Sequence, residues 1–247
     1  MHIGLTFPTK GRVEKVERLI ASLRGFDPDK HKVTLYLGLS EDDPQYDLYL
    51  DLETRYKGDI SVKCVTLSKW EGLGEAFNEI IEKSGDEIET YSMFGDDMVF
   101  KSSPQIVFDE IEHFFNSECD ASKLGVISFN DGFHNKNRPD PIAINGFVHS
   151  NWVDCLGMFI PSSFYADYSD NWLADIGKMI GRWKYCPDIT IEHLHFVYNK
   201  SEMDDRCLEK LKFDQSRSQR SSVIYDRERL KYKDILNIMT RYGVTVK

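Results

Sequence analysis

The sequence has no C-x-x-C pair, no long apolar run and no excess of basic residues. Its five cysteines (Cys64, Cys119, Cys155, Cys186 and Cys207) are odd in number and far apart. That spacing argues against a disulfide framework and against a structural zinc site. Free thiols in a reducing compartment are the simpler reading. No apolar stretch reaches the roughly 20 residues of a membrane span, and no basic segment with a long apolar run opens the chain. The expectation is a soluble, cytoplasmic protein that starts at its first strand. Acidic residues outnumber basic ones by 41 to 31, for a formal charge of −10. A surface of that sign repels phosphate backbones and disfavours a general nucleic-acid binder, while leaving room for a local basic groove around a diphosphate. Internal repeats and low-complexity tracts are also missing.

What is present is a globular composition. The 247 residues are 41% hydrophobic, with 15 Phe, 12 Tyr and 4 Trp, enough for one sizeable core and a small appended lobe. Up to Phe129 the chain alternates strand-like and helix-like segments. Strands are expected at Ile3–Phe7, Val33–Leu39, Ile60–Leu67, Thr90–Phe94 and Leu124–Phe129. Helical spacing recurs around Val13–Leu23, Leu48–Tyr56, Leu73–Ile81 and after Ser103-Pro104, where Ser103 can cap. Such alternation predicts an α/β fold with a mostly parallel sheet and helices on both faces. Beyond Phe129 the expectation is a polar loop (130–141), strands at Ile142–His149 and Asp154–Ile160, a helix at Asp170–Gly181 and a strand at Ile189–His195. A loop at Lys212–Ser222 and a final amphipathic helix through Leu230–Tyr242 close the chain.

Ligands of open α/β sheets lie beyond the carboxyl ends of the strands, and polar clusters follow four strands here. Thr9, Gly11 and Arg12 follow the first, Glu41, Asp42 and Asp43 the second, Lys69 and Trp70 the third, Asp96 and Asp97 the fourth. Two adjacent carboxylates beside a core strand need a cation or hydrogen-bond donors. Asp96-Asp97 therefore reads either as a Mg²⁺ or Mn²⁺ site gripping a diphosphate or as a solvated Gly-Asp-Asp turn. His193 and His195 fall on one side of a strand and are either further ligands or an ordinary histidine pair. Asp170 and Asp175 are each a general base or, respectively, a helix cap and a solvent-facing residue. Glu41–Asp43 either accept hydrogen bonds from a base or ribose or form an acidic turn. Trp70 stacks or packs. Arg12, Lys69, Lys200, Arg217 and Arg220 are candidates to offset diphosphate charge, though most such residues are plain surface groups.

Taken in order, these segments resemble the GT-A fold glycosyltransferases, family 2 type. FPTKGRVEKVERLIASL is similar to that family's opening strand, loop and helix, and WEGLGEAFNEII to its glycine-and-asparagine helix with Gly74, Ala76 and Asn78. FGDDM stands where the family carries its Asp-x-Asp motif, with Gly95 in place of the first acid. SDNWLADIGKMIGRWKYCPDITIEH is similar to the Glu-Asp helix, Pro-Asp turn and His-bearing strand, with Ser169 in place of the Glu. The resemblance spans roughly residues 1–200, and the tail is similar to short viral and bacterial members. It implies a Rossmann-like GT-A domain over 1–200, with 201–247 as a C-terminal loop and helix on the same domain. It also implies transfer of a sugar from a UDP-, GDP- or dTDP-linked donor to a hydroxyl acceptor such as a glycan, with inversion and with Mn²⁺ or Mg²⁺. By the same resemblance Asp97 is the main metal ligand, with Asp96 at the ribose or the metal. His193, and second to it His195, completes the metal site, and Asp170 is the favoured base over Asp175. Pro8, Thr9, Arg12, Glu41, Asp42, Asp43, Trp70, Asn78, Arg217 and Arg220 are then the nucleotide-sugar residues. The rivals are a nucleotidyltransferase, which would want a more glycine-rich first loop, and a binding module that has lost activity. Sugar transfer onto DNA bases is disfavoured by the acidic charge.

Overall fold

Seven of the expected strands, joined by a short one at Met98–Phe100 that was not expected, form one eight-stranded sheet. The structure, a computed structural model, describes residues 1–68, 72–85, 87–136, 138–194 and 219–244. In chain order the elements begin β1 (His2–Pro8), α1 (Val13–Ser22), β2 (Lys32–Leu39), α2 (Tyr46–Arg55), β3 (Ile60–Thr66), α3 (Leu73–Ser84) and β4 (Thr90–Met93). They continue with β5 (Met98–Phe100), α4 (Pro104–His113), a π-turn (Phe114–Glu118), β6 (Val126–Asn130), β7 (Phe147–His149), α5 (Ser150–Leu156), α6 (Ser169–Met179) and β8 (Trp183–His193). A helical stretch at 219–229 and α7 (Tyr232–Arg241) follow.

In the sheet order β3-β2-β1-β4-β7-β6-β8-β5, strands β3, β2, β1 and β4 are parallel neighbours. Right-handed crossovers carry α1 and α2 over one face while the chain steps outward to β3; the return to β4 places α3 on the other. Gly38 on β2 serves that packing, since a Cβ there would lie 2.6 Å from Ile80 of α3. Ile3, Leu5, Phe7, Leu35 and Leu37 are fully buried between the layers. The C-terminal helix joins the same core through Tyr232, Ile235 and Met239, and Val244 follows it there. Among the described residues no helix is long and apolar enough to cross a membrane.

Three expectations are corrected. Asp154–Ile160 is not a strand: Ser150–Leu156 is a helix, with His149 Nδ1 accepting from Asn151 N–H and Gly157 ending it in the left-handed region at φ 69°. Seven residues are too few for helical periodicity to show, whereas Trp152 and Cys155 still share its buried side. Only Phe147–His149 of the expected 142–149 strand pairs in the sheet. Asn145, fully buried, instead accepts from Ser128 Oγ and Phe129 N–H and donates to Ile191 O, tying β6 to β8. Residues 219–222 are helical where a loop was expected, and 212–218 lie outside the described residues.

Strand β8 starts earlier than its apolar pattern suggests and contains Pro187-Asp188. Its register against β6 jumps there, from Phe129↔Cys186 to Asn130↔Thr190. Proline cannot supply a ladder N–H, so the strand bulges at that point. Asn130 Nδ2 donates to Pro187 O across the gap at 2.9 Å. Past the bulge the strand crosses to pair antiparallel with β5, placing Met98 opposite His193.

Candidate active site

The ends of β1, β2 and β4 meet through hydrogen bonds. Thr9 follows β1 and is fully buried; its hydroxyl donates to Asp96 Oδ2 at 2.7 Å. Gly11 turns the chain at φ +66°, a conformation that suits glycine, and its N–H donates to Asp43 Oδ2 at 2.9 Å. Arg12 is buried too: its N–H donates to Tyr49 Oη at 2.9 Å and its Nη1 to Asp96 Oδ1 at 3.2 Å. Asp43 also accepts from Gln45 N–H. Lys10 pairs with Asp42 at the exposed edge, and Glu41 beside it is exposed. Burial raises the Asp96 carboxyl above its usual range, as does the neighbouring Asp97, against the pull of Arg12 and Thr9. Asp96 thus anchors the first loop, and removing one partner of so buried a pair costs about 3–5 kcal/mol.

Asp97 is set by the other half of the sheet. The β5–β8 ladder puts His193 opposite Met98, and Leu194 N–H donates to Asp97 O at 2.7 Å. The two side chains meet, His193 Nε2 lying 3.2 Å from Asp97 Oδ1, each 18% exposed. Ligands at right angles on a cation with bonds of about 2.1 Å lie about 3.0 Å apart. The oxygen–nitrogen pair therefore fits a divalent cation in spacing as well as in chemistry. His195 lies outside the described residues, as do Lys69, Trp70, Lys200 and Arg217.

Two residues not singled out from the sequence join this group. Asp131 and His134 follow β6, and donor atoms of Asp131, His134 and His193 lie within 4.8 Å of one another. Asp131 is fully buried and accepts from Asn135 N–H, His134 N–H and His134 Nδ1 at 2.8–2.9 Å. Burial alone would raise this carboxyl, but the His134 ring and the two backbone donors outweigh it and bring it down to about 2. The signal was available: they follow a strand end, as the other clusters do, within a segment read only as a polar loop.

Asp170 is half-buried on the first turn of α6, preceded by Tyr168 in a left-handed conformation at φ 69°. Burial raises its carboxyl. The Asn171 N–H it accepts at 2.9 Å and the nearby His134 act the other way, and Asp167 adds to the rise. Asp175 is turned to different company: it accepts from Tyr225 Oη at 2.5 Å and Tyr232 Oη at 2.9 Å of the C-terminal segment. Tyr225 also stacks on Tyr168, with ring centroids 5.2 Å apart. Arg220 is exposed on the 219–229 helix.

Asn78 spends its amide on the stretch leading toward Asp170. Its Oδ1 accepts from Phe159 N–H at 2.8 Å, and its Nδ2 donates to Ile160 O at 2.8 Å and Ser162 Oγ at 3.1 Å. Just before it, Leu73 and Gly74 N–H donate to Tyr165 and Phe164 carbonyls, and a Cβ at Gly74 would stand 2.2 Å from Pro161 O.

Sheet order and helix placement are those of a GT-A fold, in its Rossmann-like α/β form. Among solved structures, a mannosyltransferase from Pyrobaculum calidifontis, crystallised with GDP-Man and Mn²⁺, superimposes with a TM-score of 0.60 at 14% identity, covering 78% of this chain and 57% of its own. TarS residues 1–349 of S. aureus, in complex with UDP-GlcNAc, gives 0.54 at 13% identity, covering 77% and 57% respectively. The chain thus spans a little under three-fifths of each of these. No family profile and no curated protein matches the sequence.

Proposed function

We propose that the protein is a glycosyltransferase that moves a sugar from a nucleoside-diphosphate donor to an acceptor hydroxyl, with inversion and with a divalent cation. The observation that carries this reading is the junction of Asp97 with His193, 3.2 Å apart, beside the Thr9–Arg12–Asp96 cluster at the carboxyl edge of a GT-A sheet. Mn²⁺ suits the mixed oxygen and imidazole donors better than Mg²⁺ does, and the mannosyltransferase of similar fold was crystallised with Mn²⁺.

In this reading Asp97 and His193 hold the cation, with His195 a further donor. The nucleotide lies along Pro8, Thr9, Arg12 and the Glu41–Asp43 turn, with Asp96 holding the loop beneath it and Trp70 beside the donor. A cation held there would supply the positive charge that stabilises a departing diphosphate. Asp170 takes the proton from the acceptor hydroxyl as it approaches the opposite face of the sugar. Its raised affinity for a proton, caused mainly by burial, suits it to that work. Asp175 is the weaker candidate, because two tyrosines already occupy it. Asn78 shapes the acceptor side through the 159–162 backbone. Residues 201–247, including Arg217 and Arg220, complete the same domain as an extension.

Release of free nucleotide from UDP-, GDP- and dTDP-sugars, with and without Mn²⁺, tests the reading. Metal-dependent release from one donor class is expected, and Asp97→Ala should abolish it along with metal-dependent donor binding while the circular dichroism spectrum stays native. Unchanged donor affinity in Asp97→Ala with metal present would remove the site.

A further inference from the structure

We propose that His134, oriented by the buried carboxylate of Asp131, is a third protein ligand of the divalent cation assigned above to Asp97 and His193; the inference rests on that assignment. Neither Asp131 nor His134 belongs to the motifs by which the sequence resembles other GT-A proteins.

Proximity is the first support. Donor atoms of His134 and His193 lie within 4.8 Å of each other, and their rings are 6.1 Å apart and tilted by 30°. His193 in turn lies 3.2 Å from Asp97. The same short segment positions both imidazoles, since Asp131 O accepts from His193 N–H at 3.0 Å.

The state of the ring is the second. Asp131 Oδ2 lies 2.9 Å from His134 Nδ1, and Asp131 has no exposed surface. A carboxylate can only accept, so the contact puts a ring proton on Nδ1, and in the neutral ring the lone pair is then on Nε2. A carboxylate behind one ring nitrogen, with the other left basic, is the arrangement that fixes and strengthens a metal-binding imidazole. Burying a full carboxylate is costly unless it is satisfied, and here the satisfaction includes one side chain, His134.

A comparison within the molecule sharpens the point. His31, Asp109 and Glu112 also cluster, but the Lys30 ammonium already sits 2.6 Å from Asp109 and 3.6 Å from Glu112. That group has its cation. In the Asp131–His134 pair the facing groups are a carboxylate and an imidazole, 2.9 Å apart.

The test titrates Mn²⁺ alone into wild type, His134→Gln, Asp131→Asn and Asp97→Ala, reading free Mn²⁺ by its electron paramagnetic resonance lines. His134→Gln should weaken Mn²⁺ binding by about 10- to 100-fold, and pulsed spectra of the bound ion should count one fewer coordinated imidazole nitrogen. Asp131→Asn should weaken binding by about tenfold with the nitrogen count unchanged. The His134 side chain is 32% exposed, so its replacement should leave the fold intact; His134→Asn, run in parallel, covers a folding defect of the first variant. His113→Ala, on an exposed helix end, should bind as wild type does. A folded His134 variant with wild-type affinity and nitrogen count, while Asp97→Ala loses the ion, would remove His134 and leave the cation site standing. Wild-type affinity in Asp97→Ala as well would overturn the cation site itself.

Discussion

At the scale of single residues, Asp170 carries the sharpest expectations. A base must be unprotonated to act, and burial raises its pKa above the ordinary 3.8. The acid limb of kcat should therefore lie above pH 3.8, with activity lost as pH falls through the folded-state value. Asp170→Asn should lower kcat by about 10²- to 10⁴-fold while leaving donor affinity near wild type. Stability gives an independent readout. A carboxyl whose folded pKa is raised binds its proton more tightly in the folded state, so its charge costs stability above the folded value and nothing below 3.8. Asp170→Asn should then raise the thermal midpoint at pH 7, and the gain should shrink as pH falls toward 3.8. Calorimetry at several pH values checks this, and a lower midpoint at pH 7 would count against a base held partly out of solvent. The sequence allowed Asp97, His193 and Asp170 to be singled out because carboxylates and imidazoles after strands or at a helix start have few inexpensive explanations. It could not separate Asp170 from Asp175, because the partners that occupy Asp175 come from about 50 residues further along the chain. Nor could it show that Asn78 holds backbone at 159–162, a contact between positions some 80 residues apart.

At the scale of elements, the parallel half of the sheet was legible because its strands are short apolar or alternating runs, such as Val33, Leu35, Leu37 and Leu39 of β2. Legibility failed where short elements obey side-chain bonds more than periodicity. Helix α5 depends on a histidine cap and a left-handed glycine, the 142–146 turn on Asn145, and the break in β8 on Pro187. The C-terminal segment has a specific task in this picture. Tyr168 holds a left-handed conformation two residues before Asp170, at a cost of about 1–3 kcal/mol for a non-glycine residue. Tyr225 stacks on it, and Asp175 anchors Tyr225 and Tyr232. Asp175→Ala should therefore loosen the base from a distance. Hydrogen bonds to a charged group contribute about 1.5–3 kcal/mol each, so amide exchange over 219–241 should accelerate while β1–β4 stay protected. The kcat should fall with the KM for donor little changed. Loss of donor affinity instead would place Asp175 at the donor.

At the scale of the whole molecule, the sheet brings residues from the first tenth of the chain and from near residue 190 to one edge, and the net charge acts on whatever approaches that edge. The chain carries −10, and the donor it is proposed to bind is also an anion. The overall field therefore opposes the encounter, while the cation and Arg12 favour it at contact. Long-range repulsion is screened beyond about 10 Å at 0.1 M salt, whereas a buried pair such as Arg12–Asp96 is screened far less. With Mn²⁺ held saturating, raising NaCl from about 10 mM to about 150 mM should lower the KM for donor, or leave it unchanged, because only the repulsive part is removed. Nucleic-acid binding has the opposite sign, since each phosphate contact releases counterions and affinity falls steeply with salt. A KM that climbed severalfold over this range would mean that a cationic surface, not a buried cation site, captures the ligand, and the acceptor would then have to be sought among polyanions.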